Sequence, residues 1–115
     1  MYLPNIEQIV ISEAKTADYL LSLTHPNGHG KAKFFLAYGF TPQNWQQFAS
    51  ALHEHARRYE VTKIEVTPFG MRYVIEGILH TLDGRDPFVR VVWFIDTDET
   101  IPRLLTAYPR DDKDN

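Results

Sequence analysis

Two histidines and a lysine fall within one seven-residue stretch, His25-Pro26-Asn27-Gly28-His29-Gly30-Lys31, the densest group of chemically capable side chains in the sequence. Histidine exchanges protons near neutrality, so either ring suits general acid–base work without much tuning. Lysine can hold a phosphate or offset a developing oxyanion. The glycines let backbone N–H groups approach a ligand, and Lys31 opens a predicted helix whose N-terminal end favours anions. Types and spacing therefore point to an anion-directed site, with phosphate as its natural ligand. The same stretch is also a serviceable turn, because Pro-Asn-Gly between helices needs no ligand to exist. A metal between His25 and His29 is disfavoured: their spacing would suit a helix, the Pro and Gly between them forbid one, and no third ligand stands out. No metal or cofactor is implied. His53 and His55 stand two apart on a predicted helix, hence on different faces, and both are expected in solvent.

Three further residues could serve the same chemistry. Arg90 interrupts the apolar run Phe88-Val89-Arg90-Val91-Val92-Trp93-Phe94 in a predicted central strand, where an arginine must be paired or open to a cleft. Glu76 on the neighbouring strand would make it a structural ion pair; a cleft would make it a phosphate-binding guanidinium. Thr106 and Tyr108 are two apart on the last predicted strand and are expected on one face, where their hydroxyls could line a site beside Arg90. They could equally be half-buried strand residues, a setting both types favour. Trp45, Trp93 and Phe34-Phe35 are assigned to the core. The sequence has no P-loop and no GxGxxG, GxSxG or HExxH.

The elements that must position these residues are legible in outline. Ser12 is a predicted N-cap for a first helix carrying Ala14, Tyr19, Leu20, Leu21 and Leu23, which Pro26 and the following glycines stop. A short second helix is expected from about Lys31 to Tyr38, with Gly39 closing it. Thr41-Pro42 starts a third, in which Trp45, Phe48, Ala49 and Leu52 form one apolar stripe, ending near Arg57-Arg58-Tyr59. Strands are then expected over Val61 to Thr67, Met71 to Thr81, Phe88 to Asp96 and Ile101 to Tyr108. Asp83-Gly84 marks a hairpin, and the third strand reads as buried on both faces. About three helices followed by a four-stranded antiparallel sheet make an α+β fold, with residues 1–110 as one domain and 111–115 as an acidic tail.

Composition narrows the class. The chain of 115 residues is 43% hydrophobic and 13% aromatic, enough for a real core without staples. It has no cysteine, which removes disulfides, thiolate metal sites and cysteine nucleophiles, and which fits a reducing cytoplasm. No apolar run approaches the roughly 20 residues of a bilayer span, and no secretory signal opens the sequence, so no membrane partner is expected. The formal charge of -3 runs against broad nucleic-acid binding but leaves room for a local basic cleft. Oligomeric state is not readable from these features.

The ordered combination of Leu3-Pro4-Asn5, Lys15 with Tyr19-Leu20-Leu21, His25-Pro26-x-Gly28-x-x-Lys31-Ala32-x-Phe34-Phe35, Gly39-Phe40, Asn44-Trp45, Gly70, Gly84-Arg85, Val91-Val92-Trp93 and Leu105-Thr106-Ala107-Tyr108-Pro109 resembles a bacterial family of uncharacterised small domains. That family looks like the small toxin domains of bacterial conflict systems. The closing Thr-Ala-Tyr-Pro is similar to the end of the ribonuclease A-like toxins of contact-dependent inhibition. Helices before an antiparallel sheet are similar to the order in the barnase, EndoU, colicin E5 and RelE group of metal-independent ribonucleases. The resemblance implies RNA cleavage with the 2′-hydroxyl as internal nucleophile. His25 would then be base or acid, Lys31 and Arg90 would hold the phosphate, and Thr106 with Tyr108 would orient it. It also implies a small neutralising partner protein. Two other readings fit the same residues: a non-catalytic interaction protein of antitoxin or immunity type, and a small anion-binding domain.

Overall fold

The helices and the sheet segregate along the chain as the sequence pattern expects, and the sheet face that meets the helices is chosen by strand alternation. The computed structural model describes residues 1–27 and 29–110. The expected acidic tail, 111–115, and Gly28 lie outside the described residues. After a short 3₁₀ turn at Ile6–Gln8 comes α1, a single α-helical turn at Glu13–Lys15 that widens into a π-helical turn at Thr16–Leu20. Then follow α2 (His29–Ala37) and α3 (Trp45–Arg58), the latter introduced by a 3₁₀ turn at Pro42–Asn44. The strands are β1 (Val61–Thr67), β2 (Gly70–Ile78), β3 (Phe88–Asp96) and β4 (Arg103–Pro109). They form one antiparallel sheet in the order β1-β2-β3-β4.

Local chemistry explains the boundaries. Ser12 caps α1 by accepting the Lys15 N–H at 3.2 Å. Thr41 and Asn44 cap each other reciprocally, with Pro42 at the first turn, so α3 enters at a fixed angle. Gly39 takes a φ of 98° just past α2. The first helix is shorter than the spacing of its apolar residues suggested: Leu21 N–H bonds to Thr16 O at 2.8 Å, a five-residue step, and Leu23 is left exposed beyond it. The β2–β3 connection is a hairpin, though the loop spans 79–87 rather than the two residues of Asp83-Gly84.

The core lies between the helices and one face of the sheet. Leu20, Leu21, Phe35, Phe40, Phe48 and Leu52 pack against Tyr73, Ile75, Val89, Val91, Trp93, Leu104 and Ala107. Val92 and Phe94 are buried on the other face of β3, as expected for a strand covered on both sides. Over that second face arginine stems supply the cover: the Arg103 guanidinium lies 5.2 Å from the centre of the Phe94 ring. Leu104 and Ala107 both reach the core although three residues separate them, because a bulge interrupts the β3–β4 ladder between Val92 and Trp93.

His55 departs from the expectation of exposure. It is 2% exposed and donates from Nε2 to Gly77 O at 3.2 Å. His53 is half-buried and bonds to Ile6 O at 2.7 Å. The α3 stripe is wider than its aliphatic residues alone, so the helix side of the sheet also claims imidazoles.

Candidate functional site

Tyr19 gathers the site. It projects from the π-helical turn of α1, and its hydroxyl sits between Lys31 Nζ, which donates to it at 2.9 Å, and Thr106 Oγ1 at 3.1 Å. Lys31 comes from the first turn of α2 and Thr106 from the bulged region of β4, so three elements meet at one phenol. The His25 ring packs edge-on against Tyr19 with centroids 4.9 Å apart. Lys15, at the end of the α-helical turn, places its ammonium 5.4 Å from the centre of the same ring. An open cleft of about 480 Å³ is lined by Ala14, Lys15, Tyr19, His25, Asn27 and Leu105.

The electrostatics of this group are set by its cations. Burial alone would raise the Tyr19 pKa. The Lys31 and Thr106 hydrogen bonds together with the Lys31 and Lys15 charges outweigh that effect, and the phenol lies below its ordinary value of 10. His25 Nδ1 accepts the Asn27 N–H at 3.1 Å, which assigns the proton of the neutral ring to Nε2. Among the described residues no carboxylate lines the cleft. The arrangement can therefore attract an anion, move a proton through an acidified phenol, and offer a second proton-exchanging ring beside it.

The five residues singled out by sequence divide into two groups. His25, Lys31 and Thr106 come together around Tyr19. Arg90 and Tyr108 do not join them. Arg90 pairs with Glu76, its Nη2 2.6 Å and its Nε 2.8 Å from Glu76 Oε2, and its Nη1 donates to Tyr108 Oη at 3.4 Å. Thr106 and Tyr108, expected to serve one site, thus turn their hydroxyls to different partners. Tyr19 and Lys15 were not selected as chemistry from sequence. The available signal was their four-residue separation, one helical face, upstream of a histidine and a third cation. His29 is exposed. Among the described residues no three histidine, aspartate or glutamate side chains group as a metal site. No described helix is long and apolar enough to cross a membrane.

No curated protein matches the sequence. Among solved structures, a chain of the contact-dependent growth inhibition toxin–immunity protein complex from Klebsiella pneumoniae 342 superimposes with a TM-score of 0.59, covering 77% of this chain and 84% of that one at 15% identity. The likeness is one of fold. The family model described as Domain of unknown function (DUF6883) matches residues 2–111, and by that match the chain belongs to this family.

Proposed function

We propose that this chain is a toxin-like, metal-independent ribonuclease whose centre is the His25–Tyr19–Lys31–Thr106 cluster. The observation that carries the reading is the phenol of Tyr19 held between an ammonium and a hydroxyl, with an imidazole packed edge-on against its ring and a second lysine over the ring. RNA cleavage through its own 2′-hydroxyl needs one group to take the attacking proton, one to return a proton to the leaving 5′-oxygen, and positive charge at the crowded phosphorus. In this reading the Tyr19 phenolate takes the proton of the 2′-hydroxyl as that oxygen bonds to phosphorus. The phosphorus–5′-oxygen bond breaks, and the His25 imidazolium, its Nδ1 turned away from the Asn27 N–H, gives its Nε2 proton to the departing oxygen. Lys31 and Lys15 balance the charge, and Thr106 orients the phenol. A small partner protein would hold such an activity in check inside the producing cell.

The test is induced expression in a bacterium of the wild type, His25→Ala and Lys31→Ala, with RNA integrity followed on gels. Growth arrest with RNA cleavage, lost in both variants while their melting temperatures stay near that of the wild type, is the expected result. Harmless expression of the wild type with intact RNA would overturn it. A second reading, a non-catalytic interaction protein of antitoxin or immunity type, is favoured by Val66, 80% exposed on the edge strand β1, and Phe69, 78% exposed in the turn that follows. That reading predicts harmless expression and rescue of cells from a co-expressed toxin.

A further inference from the structure

Strand β1 is an edge of the sheet, and what lies beyond it differs along its length. At its start the Val61 N–H bonds to Met1 O at 2.8 Å, which closes the edge there. Among the described residues this is the one backbone hydrogen bond that β1 makes away from β2. Thr67 and Gly70 are the last ladder pair before the turn at Pro68-Phe69, and the closing pair of so short a hairpin exchanges both of its hydrogen bonds. Alternation back along the strand gives the Glu65 N–H and C=O to β2. It turns those of Ile64 and Val66 outward, where no described residue meets them. The side chains of these two residues are exposed as well. They lie opposite Tyr73 and Met71, so they continue the core face past the reach of the helices. Val66, Met71 and Ile95 form one cross-strand row beside a cleft of about 290 Å³ that ends at this open edge. The other face of β1 carries Lys63 and Glu65, whose charged groups lie 3.6 Å apart.

We infer that this edge pairs with the same edge of a second copy of the chain, antiparallel and about a two-fold axis through Ile64. Charge selects both the occupant and the register. Reversed about Ile64, the strand is its own complement: Lys63 falls opposite Glu65 of the second copy, and Glu65 opposite the second copy's Lys63. Ile64 meets its own counterpart, and each of the two outward N–H groups can donate to the other residue's C=O. An axis through Glu65 instead would set two carboxylates directly opposite each other. A lysine and a bulge are devices that commonly blunt an edge strand. Here the bulge lies between Val61 and Lys63 and leaves the ladder regular from Ile64 onward, and the lysine has its matching acid two residues away. Pairing runs from Thr62 to Val66 and stops, since Thr67 would fall opposite Val61, whose outward N–H Met1 already holds. So short a contact makes a weak dimer that forms as concentration rises. It joins two four-stranded sheets with a β4 strand at each outer end, so Thr106 and the Tyr19 cleft of each copy stay open. The pairing therefore stands or falls apart from the ribonuclease reading.

The experiment is sedimentation velocity over a rising concentration series. The samples are the wild type, Lys63→Glu, Glu65→Lys and an equimolar mixture of the two variants, each checked by thermal melting. The wild type is expected to pass from monomer to dimer. Either variant alone opposes like charges on both sides of the axis and should dimerise about tenfold more weakly. In the mixture two acids of one chain meet two lysines of the other, and a mixed dimer of wild-type strength should return. Hydrogen exchange on the wild type needs no substitution, so it decides the matter should a variant fold poorly. The Ile64 and Val66 amides should slow as the dimer forms, while that of Glu65, already bonded to β2, should not follow. A wild type that stays monomeric up to millimolar concentration would overturn the pairing. So would a dimer that both variants retain, or one that leaves the Ile64 and Val66 amides in fast exchange. A dimer weakened by only one of the two reversals would overturn the register, because about Ile64 each reversal disrupts the same contacts.

Discussion

At the scale of single residues, the Tyr19 phenol is the most informative group, because its environment can be read out apart from any activity. Burial pushes its pKa up, and the Lys31 and Thr106 hydrogen bonds with the lysine charges push it down by more. The ultraviolet phenolate signal should therefore contain one tyrosine titrating at lower pH than free tyrosine. Lys31→Met should return that midpoint upward, since it removes the strongest opposing contact and leaves burial in place; an unchanged midpoint would mean that Lys31 does not govern the phenol. Sequence reasoning came to three members of this cluster through the polar loop and the last strand, and passed over its centre. The reason is physical. Tyr19 sits among Leu20 and Leu21 in a stretch that reads as apolar helix, and its polar contacts come from Lys31, twelve residues on, and Thr106, eighty-seven residues on. Arg90 shows the opposite case. Its pairing with Glu76 was visible in the sequence as an alternative, because directly opposed strand positions share a face.

At the scale of elements, α3 and β2 are joined by a contact that pH should reveal. Burial, helped by the Arg58 charge, outweighs the hydrogen bond His55 donates to Gly77 O and lowers its pKa to about 4. The unfolded chain takes up that proton near pH 6.5, the folded one only near pH 4, so between these values the unfolded state binds more protons. Stability is complete above about pH 6.5 and should fall by on the order of 3 kcal/mol as pH drops towards 4. Urea titrations across that range check it, and His55→Gln, which keeps an N–H for Gly77, should flatten the slope. The neighbouring Gly77 is required by shape: a Cβ there would lie 2.3 Å from the Tyr59 ring. Gly77→Ala should cost about 1–3 kcal/mol, and the cost should shrink when Tyr59→Ala is added. Neither requirement was legible, since a histidine two residues from another on a helix reads as surface until the sheet packs on it. The strands, by contrast, were legible to within a few residues, and Val61–Thr67 and Phe88–Asp96 to the residue. β-Branched alternation and a two-sided apolar run are local signals that tertiary packing reinforces.

At the scale of the whole molecule, one core runs from Leu3 through α1, α2 and α3 to Ala107 on the last strand, so no part can melt and leave the rest its cover. Urea unfolding followed by tryptophan fluorescence, which reports the fully buried Trp93, and by far-ultraviolet circular dichroism should give coincident single transitions. Separate midpoints would place the helices and the sheet in independent units. The widened turn at Thr16–Leu20 has a different kind of consequence, one of residue count. A π-helical turn carries one residue more than the α-helical turn it replaces. Deleting one residue from this stretch would let the helix close normally and swing Tyr19 about 100° around its axis, away from Lys31 and Thr106, with helical content preserved. The position of the phenol is thus stored in chain length as well as in side-chain identity. Point substitutions can weaken its contacts, but a one-residue deletion would re-aim it outright.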